Sequence, residues 1–172
     1  MIWNKQNPYL AEIISAKLLS GKNSNKEIMH YKISLGDSKI KYNPGDSLGV
    51  IPLNNHQLVT DIIIRLGYSP LNIVEGYDKT IFELLESQFE ILSPTNRFIA
   101  YINENIHHTE LNKIIKNQDK TLLSQFKYGK SILDFLNLDS KFNIDLNNFL
   151  SLLKPLQHRA YSISSSILKY PK

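Results

Sequence analysis

Polar and apolar residues alternate in the first third of the chain. Single polar residues separate Tyr31, Ile33 and Leu35, which is the period of a half-buried strand. Pro44 and Gly45 predict a type II turn, because proline presets a negative φ and glycine supplies a positive one. Short runs rich in Ile and Tyr, together with the run after this turn, predict strands over 9–19, 28–35 and 47–51.

From about residue 54 the apolar residues recur at the spacing of a helix. Gly67 is placed to end the first helix, and Thr80 and Glu83 form a capping box that begins the second. Asp145 opens the last helix, and Pro155 follows its end. The apolar faces of the predicted helices contain Leu58, Val59, Ile62, Ile63 and Leu66, then Leu84 and Leu85, then Phe98, Ile99 and Ile102, then Leu111, Ile114 and Ile115, then Leu146, Phe149, Leu150 and Leu153.

The order of these elements predicts an α+β fold class. Strand-like composition returns at 160–168, so a long helical block separates the early strands from the final one. Strands interrupted in this way leave unpaired edges, which invite aggregation. We therefore expect a partial β-barrel that carries a helical insertion and whose later strands are absent from this chain. The first barrel strands are assigned to 1–54, the helical subdomain to 55–155 and the last barrel strand to 156–172.

Composition narrows the class of protein. Hydrophobic residues at 42% and charged residues at 21% are ordinary for a globular domain and exclude a disordered or collagen-like chain. The net charge of +4 is too small to argue for nucleic acid as a partner. The absence of cysteine excludes disulfides, thiolate metal sites and cysteine nucleophiles. Since no apolar run approaches the ~20 residues of a membrane helix and no signal peptide is evident, we expect a cytoplasmic protein.

Two short motifs suggest chemistry that the rest of the sequence does not support. The Gly-Lys-Ser segment at 129–131 resembles the end of a phosphate-binding loop, but Ser124 stands where that loop needs glycine. His107 and His108 are adjacent rather than four residues apart, which favours a solvated loop over a metal site. We therefore expect no metal site.

The C-terminal stretch carries the stronger chemical pattern. On a strand, Arg159 and Tyr161 project to one face and Ser162 to the other, unless a bulge changes its direction. Guanidinium can bind a phosphate with two hydrogen bonds while a phenol ring stacks on a flat ligand. The residues alone are equally compatible with an edge strand bearing an ordinary surface arginine and a half-buried tyrosine.

Three motifs resemble one family. The segment 159–165 is similar to the R-x-Y-S-[IS]-[AS]-S motif of the diflavin reductases and their ferredoxin–NADP reductase relatives. The segment 42–54 resembles the Y-x-P-G-D-x-L-G-V-x-P-x-N signature of the same family, and 21–27 and 35–38 resemble its sulfite reductase flavoproteins in particular. The motifs keep their order and spacing, and the resemblance runs from about residue 7 to residue 166.

The resemblance implies a fold and a set of roles. The family has an antiparallel Greek-key FAD-binding barrel with a helical connecting subdomain inserted before the R-x-Y-S strand. We therefore expect the three early strands and the Arg159 strand to lie in one sheet. By resemblance, Arg159 contacts the FAD pyrophosphate, Ala160 contributes backbone and Tyr161 packs on the isoalloxazine ring. Ser162 lies near flavin N5, the atom that accepts hydride from NADPH, and is the one residue with an implied catalytic role.

The resemblance also implies partners. Ser93, or alternatively Thr95, stands where relatives have a hydroxyl near the adenosine half of FAD. Electrons from NADPH would pass through FAD to FMN, held in an FMN-binding domain, and on to a sulfite reductase hemoprotein subunit. Ala160 replaces a larger residue of the family, which is a small change. Since a complete member carries further domains on both sides, we expect this chain to be a piece of a reductase.

Two alternatives stay open at this point. The chain could be a truncated or degenerate fragment that keeps the fold as a non-catalytic helical interaction module and binds no flavin. It could also be a mildly basic nucleic-acid binder, which would require strongly salt-dependent affinity for DNA or RNA.

Overall fold

The computed structural model describes residues 3–4, 7–166 and 168–169. The chain forms two compact units. We call Met1–Ile51 with His158–Lys172 the strand unit and Pro52–Gln157 the helical unit. Within the described residues, none of the helices combines the length and the hydrophobicity that a membrane-spanning segment needs.

Strands lie in both units. They are β1 Glu12–Leu18, β2 Met29–Ser34, β3 Ser47–Val50, β4 Ile73–Val74, β5 Lys79–Thr80 and β6 Arg159–Ser162. The helices all lie in the helical unit. They are α1 His56–Leu66, α2 Ile81–Ser87, α3 Asn96–Asn105, α4 Thr109–Lys116, α5 Lys120–Lys127, α6 Ile132–Leu136 and α7 Leu146–Leu152.

The strands pair in three antiparallel ribbons of two strands each within the described chain: β1 with β2, β3 with β6, and β4 with β5. The prediction that β3 and the Arg159 strand share a sheet is therefore confirmed. The prediction that β1 and β2 belong to the same sheet is wrong for the described residues, which contain no closed barrel. Strands join a sheet only where their backbones exchange hydrogen bonds, and the segment between β2 and β3 contains two turns separated by an irregular stretch over 38–43.

The predicted turn before β3 has the geometry of type II. Gly45 has a φ of 92°, and the Asp46 amide donates to the Asn43 carbonyl oxygen at 3.0 Å. Strand β1 contains a bulge, because its register with β2 shifts between Ile13 and Ser15.

The helical unit surrounds a dense apolar core. Phe98 on α3 contacts Phe135 on α6 and Phe149 on α7 edge to face, with ring centroids 6.5 Å and 6.2 Å apart. All three side chains are fully buried. The predicted apolar faces of α1, α2, α3, α4 and α7 supply half of the other buried core residues. The remaining residues of those faces, Leu58, Leu66, Ile115 and Leu146, are partly buried and pack against the core.

Local capping chemistry fixes where several helices begin and end. Asn55 accepts the Leu58 amide at the start of α1, and Gly67, with a φ of 77°, ends it. The predicted capping box at the start of α2 is present, since Thr80 and Glu83 bond to each other's backbone amides. The amide and the hydroxyl of Thr80 both donate to the Glu83 carboxylate, which lowers the pKa of that carboxyl group, and the charge of Lys79 adds to the effect.

Two helices and one ribbon were not predicted as separate elements. Asp119 and Ser131 are the N-cap residues that precede helices α5 and α6, and β4 pairs with β5 over only two residues on each strand. Arg65 fixes the chain after α6. Its guanidinium donates to the carbonyl oxygens of Leu136 and Asp139 at 2.6 Å and 2.8 Å, and also to that of Phe142.

The final strand, β6, covers Arg159–Ser162 and is shorter than the predicted strand over 160–168.

Candidate functional site

The strand β6 contains the residues that the sequence analysis singled out. It runs antiparallel to β3, with Ser47 opposite Ser162 and Val50 opposite Arg159. Four residue pairs follow one another without a register shift, so no bulge interrupts the R-x-Y-S segment. The structure thus brings the two family signatures, from the Pro44-Gly45 turn region and from the C-terminal stretch, into one ribbon.

The two faces of this ribbon differ in chemistry. Directly opposed residues of an antiparallel pair share a face, and successive residues alternate between faces. One face therefore carries Arg159 and Tyr161 with their partners Val50 and Leu48. The other face carries only small side chains, those of Ser47, Gly49, Ala160 and Ser162.

The unbroken register decides the direction of Ser162. Without a bulge, its side chain lies on the opposite face of the ribbon from that of Tyr161. All four residues of β6 are exposed, and the Tyr161 side chain is 52% exposed. Within the described part of the chain, the side chains of Arg159, Tyr161 and Ser162 have no hydrogen bond or ion pair, so their polar groups are available to a ligand.

Gly49 allows a close approach on the small-residue face. A Cβ atom at position 49 would lie 3.3 Å from Cδ2 of the His158 imidazole, which is tighter than ordinary van der Waals contact. Gly49 therefore leaves room for the His158 ring immediately before β6 begins.

Hydrogen bonds also hold the chain that follows β6. The Ile163 amide donates to the Asp46 carbonyl oxygen at 2.9 Å, and the Tyr42 and Ser165 hydroxyls lie 2.8 Å apart. No local sequence pattern predicts this contact of Tyr42, because it joins positions 123 residues apart.

In the helical unit, Ser93 lies at a cavity of about 430 Å³. Its hydroxyl makes no hydrogen bond among the described residues. The hydroxyl of the alternative candidate, Thr95, already makes two hydrogen bonds. It accepts from the Phe98 amide and donates to the Leu152 carbonyl oxygen, both at 2.9 Å. The structure therefore leaves the hydroxyl of Ser93, and not that of Thr95, free to contact a ligand.

Two basic residues, Lys127 and Lys130, also line this cavity, and no sequence motif identified them as part of a site. The lining consists of Leu92, Ser93, Pro94, Lys127, Gly129, Lys130 and Ser131. The Lys130 ammonium lies 3.5 Å from the centroid of the Phe126 ring, a cation–π contact. Lys127 donates to the Asn96 amide oxygen at 3.2 Å.

Helix α5 precedes the segment 129–131, whereas a phosphate-binding loop follows a strand. The segment still contributes to a cavity, and Ser131 begins α6 through a capping box with Asp134. A serine followed three residues later by aspartate and then by apolar residues is the signal that could have predicted this helix.

The pKa of the Asp134 carboxyl group is shifted from its ordinary value. Burial by itself would raise the pKa of its carboxyl group. Hydrogen bonds from the hydroxyl and amide of Ser131, together with the nearby charge of Lys130, outweigh burial and lower the pKa. The carboxylate therefore stays ionised beside the cavity.

No group of three or more His, Asp or Glu side chains among the described residues could hold a metal ion.

Comparison with known proteins matches residues 3–172 to the family model described as the FAD binding domain. The sulfite reductase (NADPH) flavoprotein alpha-component of Vibrio parahaemolyticus is 32% identical over 95% of this chain and 26% of its own length. The protein of the same name from Bacillus subtilis is 30% identical over 98% of the chain and 29% of its length. That of Buchnera aphidicola is 32% identical over 95% and 27%. The chain spans about a quarter of the length of these curated relatives.

Proposed function

Since the chain belongs to the FAD-binding domain family, we propose that β6 supplies its contacts to FAD and that the chain serves as the FAD-binding part of an NADPH-dependent flavoprotein reductase. The observation that carries the proposal is the β3–β6 ribbon. It aligns the two family signatures and leaves an arginine, a tyrosine and a serine exposed, with no side-chain hydrogen bond to any residue that the structure describes. When bound, FAD supplies the chemistry of hydride and electron transfer.

Each residue of β6 has a proposed role, and the role of Ser162 rests on the family resemblance alone, because its side chain lies on the opposite face of the ribbon from that of Tyr161. Arg159 binds the pyrophosphate, since a planar guanidinium can give two parallel hydrogen bonds to phosphate oxygens. Tyr161 packs its half-exposed ring on the isoalloxazine. Ser162 donates or accepts a hydrogen bond near flavin N5 and is the proposed catalytic residue. Ala160, opposite Gly49, contributes backbone, and its small side chain leaves room for a close approach.

We also propose that Ser93 contacts the adenosine half of FAD. The free hydroxyl and the cavity support this assignment, and the committed hydroxyl of Thr95 argues for Ser93 over its neighbour. Lys127 and Lys130 add positive charge to the same cavity, which favours a ligand that carries phosphate groups.

The activity of the whole protein follows as a further part of the proposal. The relatives are named as NADPH-dependent sulfite reductase flavoproteins. We infer that this chain helps to relay electrons from NADPH through FAD to FMN in an FMN-binding domain, and then to a sulfite reductase hemoprotein subunit. The proposed setting is a Greek-key FAD-binding barrel with a helical connecting subdomain over 55–155, in a cytoplasmic protein.

An FAD titration of the purified chain, followed by quenching of flavin fluorescence, tests the proposal. The wild-type chain should bind FAD saturably. Arg159→Ala should weaken binding by about 10- to 100-fold, the range expected for losing hydrogen bonds to a charged group. Arg97→Ala is the matched control, because Arg97 lies on α3 and its guanidinium only reaches the Ser151 carbonyl oxygen at 3.4 Å.

Two results would count against the proposal. If Arg159→Ala and Arg97→Ala had equal effects, β6 would not be the pyrophosphate site. If the folded wild-type chain bound no FAD, the non-catalytic helical interaction module would become the better interpretation. One observation favours that second candidate: every buried hydrophobic residue in the described chain lies in the helical unit.

A further inference from the structure

Two hydrogen bonds connect the turn before β3 to the residues just after β6. The amide of Ile163 donates to the Asp46 carbonyl oxygen at 2.9 Å. Two residues further on, Ser165 Oγ lies 2.8 Å from Tyr42 Oη. Both contacts begin immediately beyond Ser162, so they hold the chain at the end of β6 that carries the proposed catalytic residue.

The turn that provides these contacts is itself well defined. The Asp46 amide donates to the Asn43 carbonyl oxygen at 3.0 Å, and the Asn43 amide donates to the Asp46 carboxylate at 2.8 Å. Gly45 supplies the positive φ that closes the turn. Tyr42 directly precedes this hydrogen-bonded loop, so its phenol is attached to a fixed backbone.

The ribbon needs such support. It consists of four residue pairs, and two-stranded ribbons are marginally stable by themselves. Ser162 pairs with Ser47 at one end of the ribbon, where strands open most easily. All four β6 residues are exposed, so little side-chain burial on β6 itself opposes that opening.

We propose that Tyr42 is a positioning residue for the flavin contacts of β6. Its hydroxyl bonds to Ser165 and keeps the end of β6 in register with β3, which fixes Tyr161 and Ser162 relative to the ribbon. Tyr42 acts through Ser165 and need not touch the cofactor. This inference rests on the proposed function, since it assumes that FAD contacts β6.

A double-mutant cycle in the full chain tests the inference. Tyr42→Phe removes only the hydroxyl, Ser165→Ala removes its partner, and the double variant removes both. Tyr31→Phe is the matched control, because Tyr31 lies on β2, is half exposed and makes no hydrogen bond through its hydroxyl among the described residues. Three quantities are measured: hydrogen exchange of the Ile163 amide without FAD, the Kd for FAD, and the visible circular dichroism of the bound flavin at saturation.

Each single variant should speed Ile163 exchange and weaken FAD binding by roughly two- to tenfold, as expected for one hydrogen bond. The double variant should be no worse than either single one, because both remove the same contact. The dichroism of the bound flavin should change in all three variants and stay unchanged in Tyr31→Phe. A purely structural role would alter stability and leave the flavin signal of the saturated variants unchanged.

Three outcomes would overturn the inference, and they differ from failure of the proposed function. The first is unchanged Ile163 exchange in Tyr42→Phe, and the second is an FAD affinity equal to that of Tyr31→Phe. The third is an effect of Ser165→Ala alone, which would mean that Ser165 touches FAD directly. If the folded wild-type chain binds no FAD, the proposed function fails together with the link to flavin, while the exchange data still decide whether Tyr42 orders β6.

Discussion

The helical unit and the strand unit are stabilised by different means. In the helical unit, 26 hydrophobic side chains between Val59 and Leu156 are buried. In the described part of the strand unit, the buried side chain is that of Ser38, which is polar. Every residue of β1 is exposed, and Leu10 just before it is 96% exposed.

This difference separates a unit with its own hydrophobic core from one held mainly by backbone hydrogen bonds. Burial of apolar surface is the dominant favourable term in folding, so the helical unit has the larger internal source of stability. The proposed flavin contacts lie on the other unit. Ligand-binding elements are often drawn from the less stable parts of a protein, and exposed apolar patches commonly mark surfaces that contact another molecule or segment.

The largest predicted effect is on the free energy of unfolding. It compares the same substitution at a buried and at an exposed isoleucine. Ile62 on α1 is fully buried and Ile13 on β1 is 59% exposed. Ile62→Ala should lower the free energy of unfolding by about 2–5 kcal/mol, because it leaves a cavity in the core. Ile13→Ala should cost less than about 1 kcal/mol, mostly through strand propensity. Native-state hydrogen exchange of the α1 and β1 amides measures each cost in its own unit.

Equal costs at the two positions would contradict the comparison. They would mean that Ile13 is covered in solution and that the strand unit buries apolar surface after all. Ile64 on α1, which is 66% exposed, serves as a control for the effect of alanine on the helix, and Ile64→Ala should leave the free energy of unfolding within about 0.5 kcal/mol.

The sequence predicted those parts of the fold that depend on neighbouring residues. Gly67 ends α1 and the Thr80–Glu83 box begins α2, because a glycine with positive φ and a reciprocal cap act over three or four residues. The alternation around Ile33 identified β2 even though little of that strand is buried. Such signals depend on residues close together in sequence and can be recognised without knowledge of the packing.

The rest depends on residues that are far apart in the chain. Nothing local in β3 specifies that Leu48 pairs with Tyr161, and nothing near Ser93 indicates that Lys127 and Lys130 line the same cavity. The expectation of one sheet was carried by the family resemblance and is wrong for β1 and β2 among the described residues. The roles of Arg159, Tyr161 and Ser162 likewise come from the resemblance, since spacing alone left an ordinary edge strand open.

A smaller effect distinguishes the two neighbouring hydroxyls of the helical unit. Thr95→Ala should lower the free energy of unfolding by about 0.5–2 kcal/mol, because it removes the cap of α3. Ser93→Ala should leave stability within about 0.5 kcal/mol and weaken FAD binding instead. Urea unfolding followed by the helical circular dichroism signal, together with the FAD titration, measures both. If Ser93→Ala lowered stability as much as Thr95→Ala and left FAD binding unchanged, the assignment of Ser93 to the cofactor would be wrong.

The smallest effect concerns acid stability at the start of α6. The pKa of Asp134 is lowered in the folded chain, so its carboxylate contributes stability above the pKa of an unfolded aspartate, about 4. That contribution should disappear as the pH falls through the lower folded pKa. Asp134→Asn should therefore cost stability near neutral pH and flatten the decline of stability between about pH 5 and pH 2. Ser131→Ala removes the donating hydroxyl and should raise the pKa of Asp134, which NMR titration of the carboxyl carbon measures. An unchanged pKa in Ser131→Ala would show that Lys130 and the backbone amides alone hold the carboxylate ionised, and that the Ser131 hydroxyl adds nothing to the acid stability of the helical unit.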